Sequence, residues 1–431
     1  MQKPADVIIA GAGLAGLLTL CELSRRHPTW TFELVEREPW IGGRLRLSSR
    51  EHGSWSCGLH AMGAELFDYV QSVLQPDDTE ILQSFHPREG FGVLAAQKIS
   101  TAKGTSILAP EVAKAVGGTA ATRDWNMLIE LFAKEAGTVQ QQGEEQGQEL
   151  AQAHAFNQVW KGDKKSAALI VLEHLAHLWG VPELSPASAQ ILSARALQAA
   201  KGQWTGPWDR LFEPLIGDLR SQDRLIVHTR AQIMAAKYEE KTWQLATTVG
   251  AIRGQRLVVA QSPWEATPWL PKDLWPSKLL NIASKTKPVS LVILSQHRTD
   301  DVVDLPQTLM IPAEEVQVQI DAHQICYQAT LNFELTVQAP AVVKAVKRLK
   351  RARKKLETVN PELKTEGEHI ALLPVAWAQT VAPSEQRWLE KMDGANVQRS
   401  HLGYCGDAYG AEADSDRNLI ASVKAVCEAM S

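Results

Sequence analysis

The chain has 431 residues, 45% hydrophobic and 22% charged, with a formal net charge of -4. That length exceeds what one compact core serves, so roughly two or three domains are expected. The near-neutral balance gives no electrostatic case for nucleic acid. The fourteen tryptophans are scattered without the interleaved basic residues of a base-stacking surface, so no nucleic-acid partner is expected.

The first elements read as strand, helix, strand and glycine loop. A short apolar run, Asp6-Val-Ile-Ile-Ala10, leads into Gly11-Ala-Gly13-Leu14-Ala15-Gly16 and a helical stretch. A second apolar run, Phe32-Glu-Leu-Val-Glu36, ends in an acid about twenty residues after the last glycine. Each glycine has a mechanical task in a nucleotide cradle. Gly11 allows the tight turn out of the strand, Gly13 lets backbone approach phosphate, and Gly16 lets helix and strand pack closely. The amides at Gly13, Leu14, Ala15 and Gly16 then face a pyrophosphate at a helix N-terminus. Glu36 can accept from ribose hydroxyls, with Arg37 beside it. Six residues past Glu36 stands Gly42-Gly43-Arg44, which permits a second backbone approach and adds a guanidinium able to bind pyrophosphate bidentately.

This whole run resembles the N-terminus of FAD-containing oxidoreductases of the flavin amine oxidase and carotenoid (phytoene) desaturase superfamily, in which Glu-x(5)-Gly-Gly-Arg follows the glycine fingerprint. The resemblance implies FAD rather than NAD. It also implies an α/β fold, with an FAD-binding Rossmann-like domain, a mixed-sheet substrate domain and a helical insertion.

From about 107 to 200 the texture turns to alanine, leucine and glutamine, which argues for helices. The polar stretch from Thr138 to Leu150 reads as a mobile loop or an exposed helix end. After Trp204 and Trp208 a helix is expected from Asp209 to Leu219, then a strand from Leu225. The segment from Leu225 to Met234 resembles the family strand whose backbone meets adenine, which places Ala231 there. Arg256-Leu-Val-Val-Ala-Gln-Ser-Pro263 resembles the family's exit into the second domain. Strands are expected near 288–295 and 323–333, then a helix over about 339–357. That helix has an apolar face of Val343, Val346, Leu349, Ala352 and Leu356 and a strongly basic one. The basic face is either a solvated surface or a docking face for anionic lipid.

Near the end, His401-Leu-Gly-Tyr-Cys-Gly406-Asp407 reads as a short strand followed by a helix from about Asn418. It resembles the superfamily's closing Gly-Asp strand. The resemblance implies that Asp407 holds a ribityl hydroxyl and that amides at Asn418 and Leu419 face the flavin pyrimidine. Gly406 completes the cofactor set. The division is then 1–105, 201–263 and 395–431 for the FAD-binding part, 106–200 for the insertion and 264–394 for the substrate domain.

Strict amine oxidases carry a lysine on a substrate-domain strand, but here Ser290 or Leu291 falls at that place, which weighs against amine oxidation. Cys57 stands where many relatives have an acid. The histidines His60, His86, His154, His174 and His177 form no recognisable metal set, and no catalytic acid or base is assigned. Trp204, Trp264, Trp269 and Trp275 either line a substrate cavity or fill cores. Five cysteines without a CxxC pair fit a reduced cytoplasmic setting, and neither a signal peptide nor a spanning apolar stretch is evident.

The expected function is FAD-dependent hydride abstraction from a C-N or C-C bond of a largely apolar small molecule, amine oxidase-like or desaturase-like, with peripheral membrane contact open. The alternatives are a non-redox flavoprotein, such as an isomerase or cyclase, and a non-catalytic flavin-binding protein.

Overall fold

The structure is a computed structural model. It describes residues 3–45, 47–50, 53–56, 62–74, 79–87, 91–95, 97–102, 122–128, 203–208, 210–271, 289–299, 305–320, 324–332, 339–375, 401–406 and 415–430, with a few single residues between. In chain order the elements begin with β1 (Ala5–Ala10), α1 (Leu14–Arg26), β2 (Phe32–Val35), β3 (Leu47–Arg50), β4 (Gly53–Ser56) and β5 (Met62–Gly63). There follow α2 (Ala64–Val73), α3 (Thr79–Gln83), β6 (His86–Pro87), β7 (Phe91–Ala95), β8 (Lys98–Ala102) and β9 (Gln203–Thr205). Next come α4 (Glu213–Ser221), β10 (Leu225–His228), β11 (Ile233–Glu239), β12 (Thr242–Thr247), β13 (Gly250–Val259), α5 (Pro263–Ala266) and β14 (Val289–Arg298). The last are β15 (Thr308–Ile311), β16 (Val316–Ile320), β17 (Gln324–Asn332), α6 (Ala339–Val359), β18 (Thr365–Val375), β19 (Leu402–Tyr404) and α7 (Ser415–Met430). Most of the 106–200 segment, including His154, His174 and His177, lies outside the described residues. Residues 122–128 are helical, with Trp125 and Leu128 buried.

The first sheet gathers strands from distant parts of the chain. β10, β2, β1, β13 and β19 run parallel, and β12 and β11 continue antiparallel from the first half of β13. A parallel core strand must bury both faces. On one side Val7, Ile9 and Leu34 pack with Leu17, Leu20, Phe67 and Val423; on the other Ile8, Val35 and Leu257 pack with Trp243, Leu245 and Trp269. α1 is buried along most of its length and carries no acid in its first turn, while Arg25 and Arg26 in its last turn oppose the negative end of the helix dipole. Arg224 satisfies that end directly, donating to the carbonyls of Ser24, His27 and Trp30 at 3.2, 2.9 and 3.1 Å.

The second sheet runs β18-β14-β17-β16-β15-β7-β8. It is antiparallel except where β15 and β7 pair in parallel. α6 covers one face, burying Ala345, Leu349, Ala352 and Leu356 against Val292, Leu294 and Tyr327. The expected apolar face of α6 is therefore corrected at one position: Val343 is 52% exposed and Ala345 takes its place. The seated stripe steps by four, three and four residues, and Val343 falls on its flank. Most of the basic side chains of α6 are also paired. Arg351 and Lys355 bind the buried Glu314 at 2.7 and 2.5 Å, Arg348 binds Glu315, and Lys350 and Arg353 bind Glu368, both at 2.7 Å.

Other expectations shift by a few residues. The helix expected from Asp209 begins at Glu213, where Pro214 suits a first turn. The final helix begins at Ser415 rather than near 418. Trp204, Trp208 and Trp269 are core filling: Trp204 stacks on Phe67 at 4.3 Å, Trp208 meets Phe85 edge-on at 4.3 Å, and Trp269 is 6% exposed.

Candidate functional site

The C-terminal ends of β1, β2, β13 and β19 lie at one edge of the first sheet, where an open α/β layer binds nucleotides. Gly11 leaves β1 at φ +108, donates to the carbonyl of Val35 at 2.8 Å, and any Cβ there would meet Ala260 O at 2.7 Å. A Cβ on Gly16 would stand 2.0 Å from Gly11 O, so only glycine lets α1 pack this close. Gly13 differs: a Cβ there would have no neighbour within 4 Å. The backbone at Gly13 thus borders open space, beside the first-turn amides of Leu14, Ala15 and Gly16, which have no acceptor within the helix.

The second glycine loop closes on the first. Gly42 donates to Ala12 O at 2.7 Å, and Gly43, at φ +53, approaches so closely that its Cβ would lie 2.9 Å from Gly13 Cα. Arg44 follows in the short 3-10 turn Gly43–Leu45, and its side chain lies outside the described residues.

Glu36 is built into the same cradle. Its Oε2 accepts from Ala12 N and its Oε1 from Glu38 N, both at 2.9 Å. Burial pushes its carboxyl above the ordinary carboxylate range, against the pull of the Glu38 and Ala12 amides. Its carbonyl accepts from Ala231 N at 2.8 Å, which joins Ala231 to the cradle and leaves the Ala231 carbonyl as its remaining backbone group. Arg37 is half-exposed, and Glu38 and Glu265 already share its charge at 3.4 and 3.5 Å.

At the other end of the chain, β19 delivers Gly406, at φ +142, to this edge. Its amide donates to Ser422 Oγ at 3.0 Å, and Thr19 of α1 donates to Cys405 Sγ at 3.3 Å. Asp407 lies outside the described residues, as does the side chain of Asn418. Asn418 and the buried Leu419 stand in the first turns of α7. Two neighbours that the sequence reading passed over tie this helix start down. Asp416 accepts from Gly63 N at 3.1 Å, and Arg417 grips both oxygens of Glu65 at 2.7 and 2.9 Å. Their only sequence signal is their place just before Asn418. Among the described residues no group of three metal-binding side chains occurs and no helix is long and apolar enough to cross a membrane.

No protein-family profile matches the chain, and no curated protein matches it in sequence. Solved structures do match in fold. Cyclohexylamine oxidase from Brevibacterium oxydans IH-35A aligns over 99% of each chain at a TM-score of 0.65 and 14% identity. A double mutant of putrescine oxidase, redesigned in cofactor binding, aligns over 99% of each chain at 0.64 and 14%. A fatty acid isomerase from P. acnes that produces CLA aligns over 99% of each chain at 0.64 and 13%. The chain therefore shares its fold with these solved structures, cyclohexylamine oxidase and putrescine oxidase among them.

Proposed function

We propose that the chain is an FAD-dependent oxidoreductase that removes hydride from a C-N or C-C bond of a small molecule. The observation that carries this reading is the double-glycine cradle, in which Gly43 packs on Gly13 while Gly13 still borders open space beside free helix amides and Glu36. These residues suit a dinucleotide. The amides of Gly13 to Gly16 and Arg44 would hold the pyrophosphate, Glu36 the ribose, Ala231 the adenine through its carbonyl, and Asp407 with the start of α7 the ribityl and pyrimidine end. FAD, when bound, supplies the hydride acceptor. The chain's own part is to orient and to keep dry. Half-buried Glu36 is an acceptor partly shielded from water, and the Asp416 and Arg417 contacts hold the α7 N-terminus, whose amides favour negative charge.

Purified protein should be yellow, and Glu36→Ala should weaken FAD about tenfold or more, as expected for a lost charged hydrogen bond. Unchanged flavin content in Glu36→Ala would count against the cradle. The isomerase among the structural neighbours supports a second reading, flavin-held isomerisation. It predicts turnover without net electron transfer or oxygen consumption. Any contact with anionic lipid would rest on Lys344, Lys347 and Lys354, which have no carboxylate partner among the described residues.

A further inference from the structure

The cations of α6 divide by what they meet. Arg348, Arg351 and Lys355 lean to one side, onto Glu315 and Glu314, while Lys350 and Arg353 lean to the other, onto Glu368 of β18. Lys344, Lys347 and Lys354 are exposed and have no carboxylate partner among the described residues. Lys347 and Lys354 lie about two helical turns apart, so they share one side of α6, turned away from the buried stripe of Ala345, Leu349, Ala352 and Leu356.

Apolar side chains are exposed beside them. α6 packs on β17 and β14, and β18, the outermost described strand of this sheet, extends past it. Ile370 pairs with Leu294 and Leu372 with Val292, so both point to the face that α6 covers at β14, yet they are 39% and 41% exposed. A short connection joins α6 to β18, so the two run back to back and Val343 lies toward the Leu372 end of the strand. Val343 also stands about two turns before Lys350, on the flank that Lys350 turns to Glu368, and is 52% exposed. Val343, Ile370 and Leu372 thus form one apolar patch on the step between helix and edge strand, rimmed by lysines.

We propose that this patch docks on the surface of an anionic phospholipid bilayer. Val343, Ile370 and Leu372 enter the boundary between headgroups and acyl chains, and Lys344, Lys347 and Lys354 meet the headgroup charges. Charge selects the occupant. The chain's net charge of -4 gives no general attraction to an anionic surface, so the attraction is local to the unpaired lysines. Two-fold pairing with a second copy would set lysines against lysines. An acidic protein would answer the lysines but not the three apolar side chains, whereas a membrane answers both. The patch belongs to the second sheet, and this inference stands apart from the oxidoreductase reading.

The test is sedimentation of the purified full chain with vesicles of phosphatidylcholine alone and of phosphatidylcholine mixed with phosphatidylserine. The chain should bind the mixed vesicles, leave the neutral ones, and be released as salt is raised. Lys344→Gln, Lys347→Gln and Lys354→Gln should each weaken binding about fivefold, and Leu372→Ser by about as much. Should Leu372→Ser fail to fold, Val343→Ser, at an exposed helix position, carries the same expectation. Equal binding to neutral vesicles, no binding to mixed ones, or unchanged binding in the folded lysine variants would each overturn the proposal. So would tighter binding of polyglutamate than of vesicles, the mark of an acidic protein partner, or a dimer that Val343→Ser dissociates, the mark of self-association.

Discussion

In the first sheet the parallel core is packed largely with hydrocarbon on both faces, with α1 and α7 on one side and Trp243 and Leu245 of the β11–β12 meander on the other, and the cradle is built from groups at its strand ends. The second sheet packs hydrocarbon under α6 and mixes Ser295, Thr308, Gln319 and Gln328 with Ile293, Met310 and Cys326 on its other face. Both sheets are largely buried, yet they bury different things. A sheet closed on both sides by apolar packing acts through backbone at its edge, which suits recognition of phosphate and ribose. A sheet that buries polar side chains on one face must satisfy them within the protein, as Ser295 is by Cys326 and Thr308 by Gln319.

The comparison can be broken most directly at the strand edge. Gly16→Val would drive a side chain into Gly11 O, where even a Cβ stands at 2.0 Å. We expect a loss of about 4 kcal/mol in unfolding free energy together with loss of FAD, both measured on purified protein. Leu349→Ala, in the core under α6, should cost about 3 kcal/mol in denaturant unfolding while leaving FAD content unchanged, because it touches only the apolar face of the second sheet.

The same face contains misfits, Gln296 Oε1 and the Tyr327 hydroxyl. Tyr327 is fully buried, its hydroxyl has no partner among the described residues, and burial pushes its ionisation far above the usual tyrosine range. Tyr327→Phe should therefore raise stability by about 1 kcal/mol, seen as a higher thermal midpoint. The smallest effect is acid dependence at the rim of α6. Burial raises the Glu314 carboxyl, but the hydrogen bonds and charges of Lys355 and Arg351 outweigh it and hold the group below its ordinary value. A depressed folded-state pKa gives stability that is present above the ordinary carboxylate pKa of about 4.3 and is lost as pH falls through the lower folded value. Wild type should thus exceed Glu314→Gln by about 0.5 kcal/mol near neutrality, and the two melting curves should converge on acidification through that window.

The cradle was legible in the sequence because its parts are local. Gly11, Gly13, Gly16, Glu36 and Gly43 lie within or just after one strand-helix-strand unit, so contacts such as Ala12 with Glu36 and Gly13 with Gly43 join residues no more than about thirty apart. The start of α7 was legible only approximately, since Asp416 and Arg417 act through Gly63 and Glu65, far away in the chain. For α6, a 3.6-residue period names a stripe but leaves its edge uncertain by a position, which is how Val343 stood in place of Ala345. β15, β16 and β18 were not recognised as separate strands at all. Val316-Gln-Val-Gln-Ile320 does alternate, but alternation alone does not tell whether the glutamine side meets water, protein or ligand.

By itself, then, the sequence determined the close packing of two glycine loops with one carboxylate, because steric demands on glycine and the reach of Glu36 are written in its spacings. Only the tertiary structure decided what the second sheet offers. Its mixed face arises from pairings such as Thr308 with Gln319 and Ser295 with Cys326, which bring residues far apart in the chain onto one buried surface.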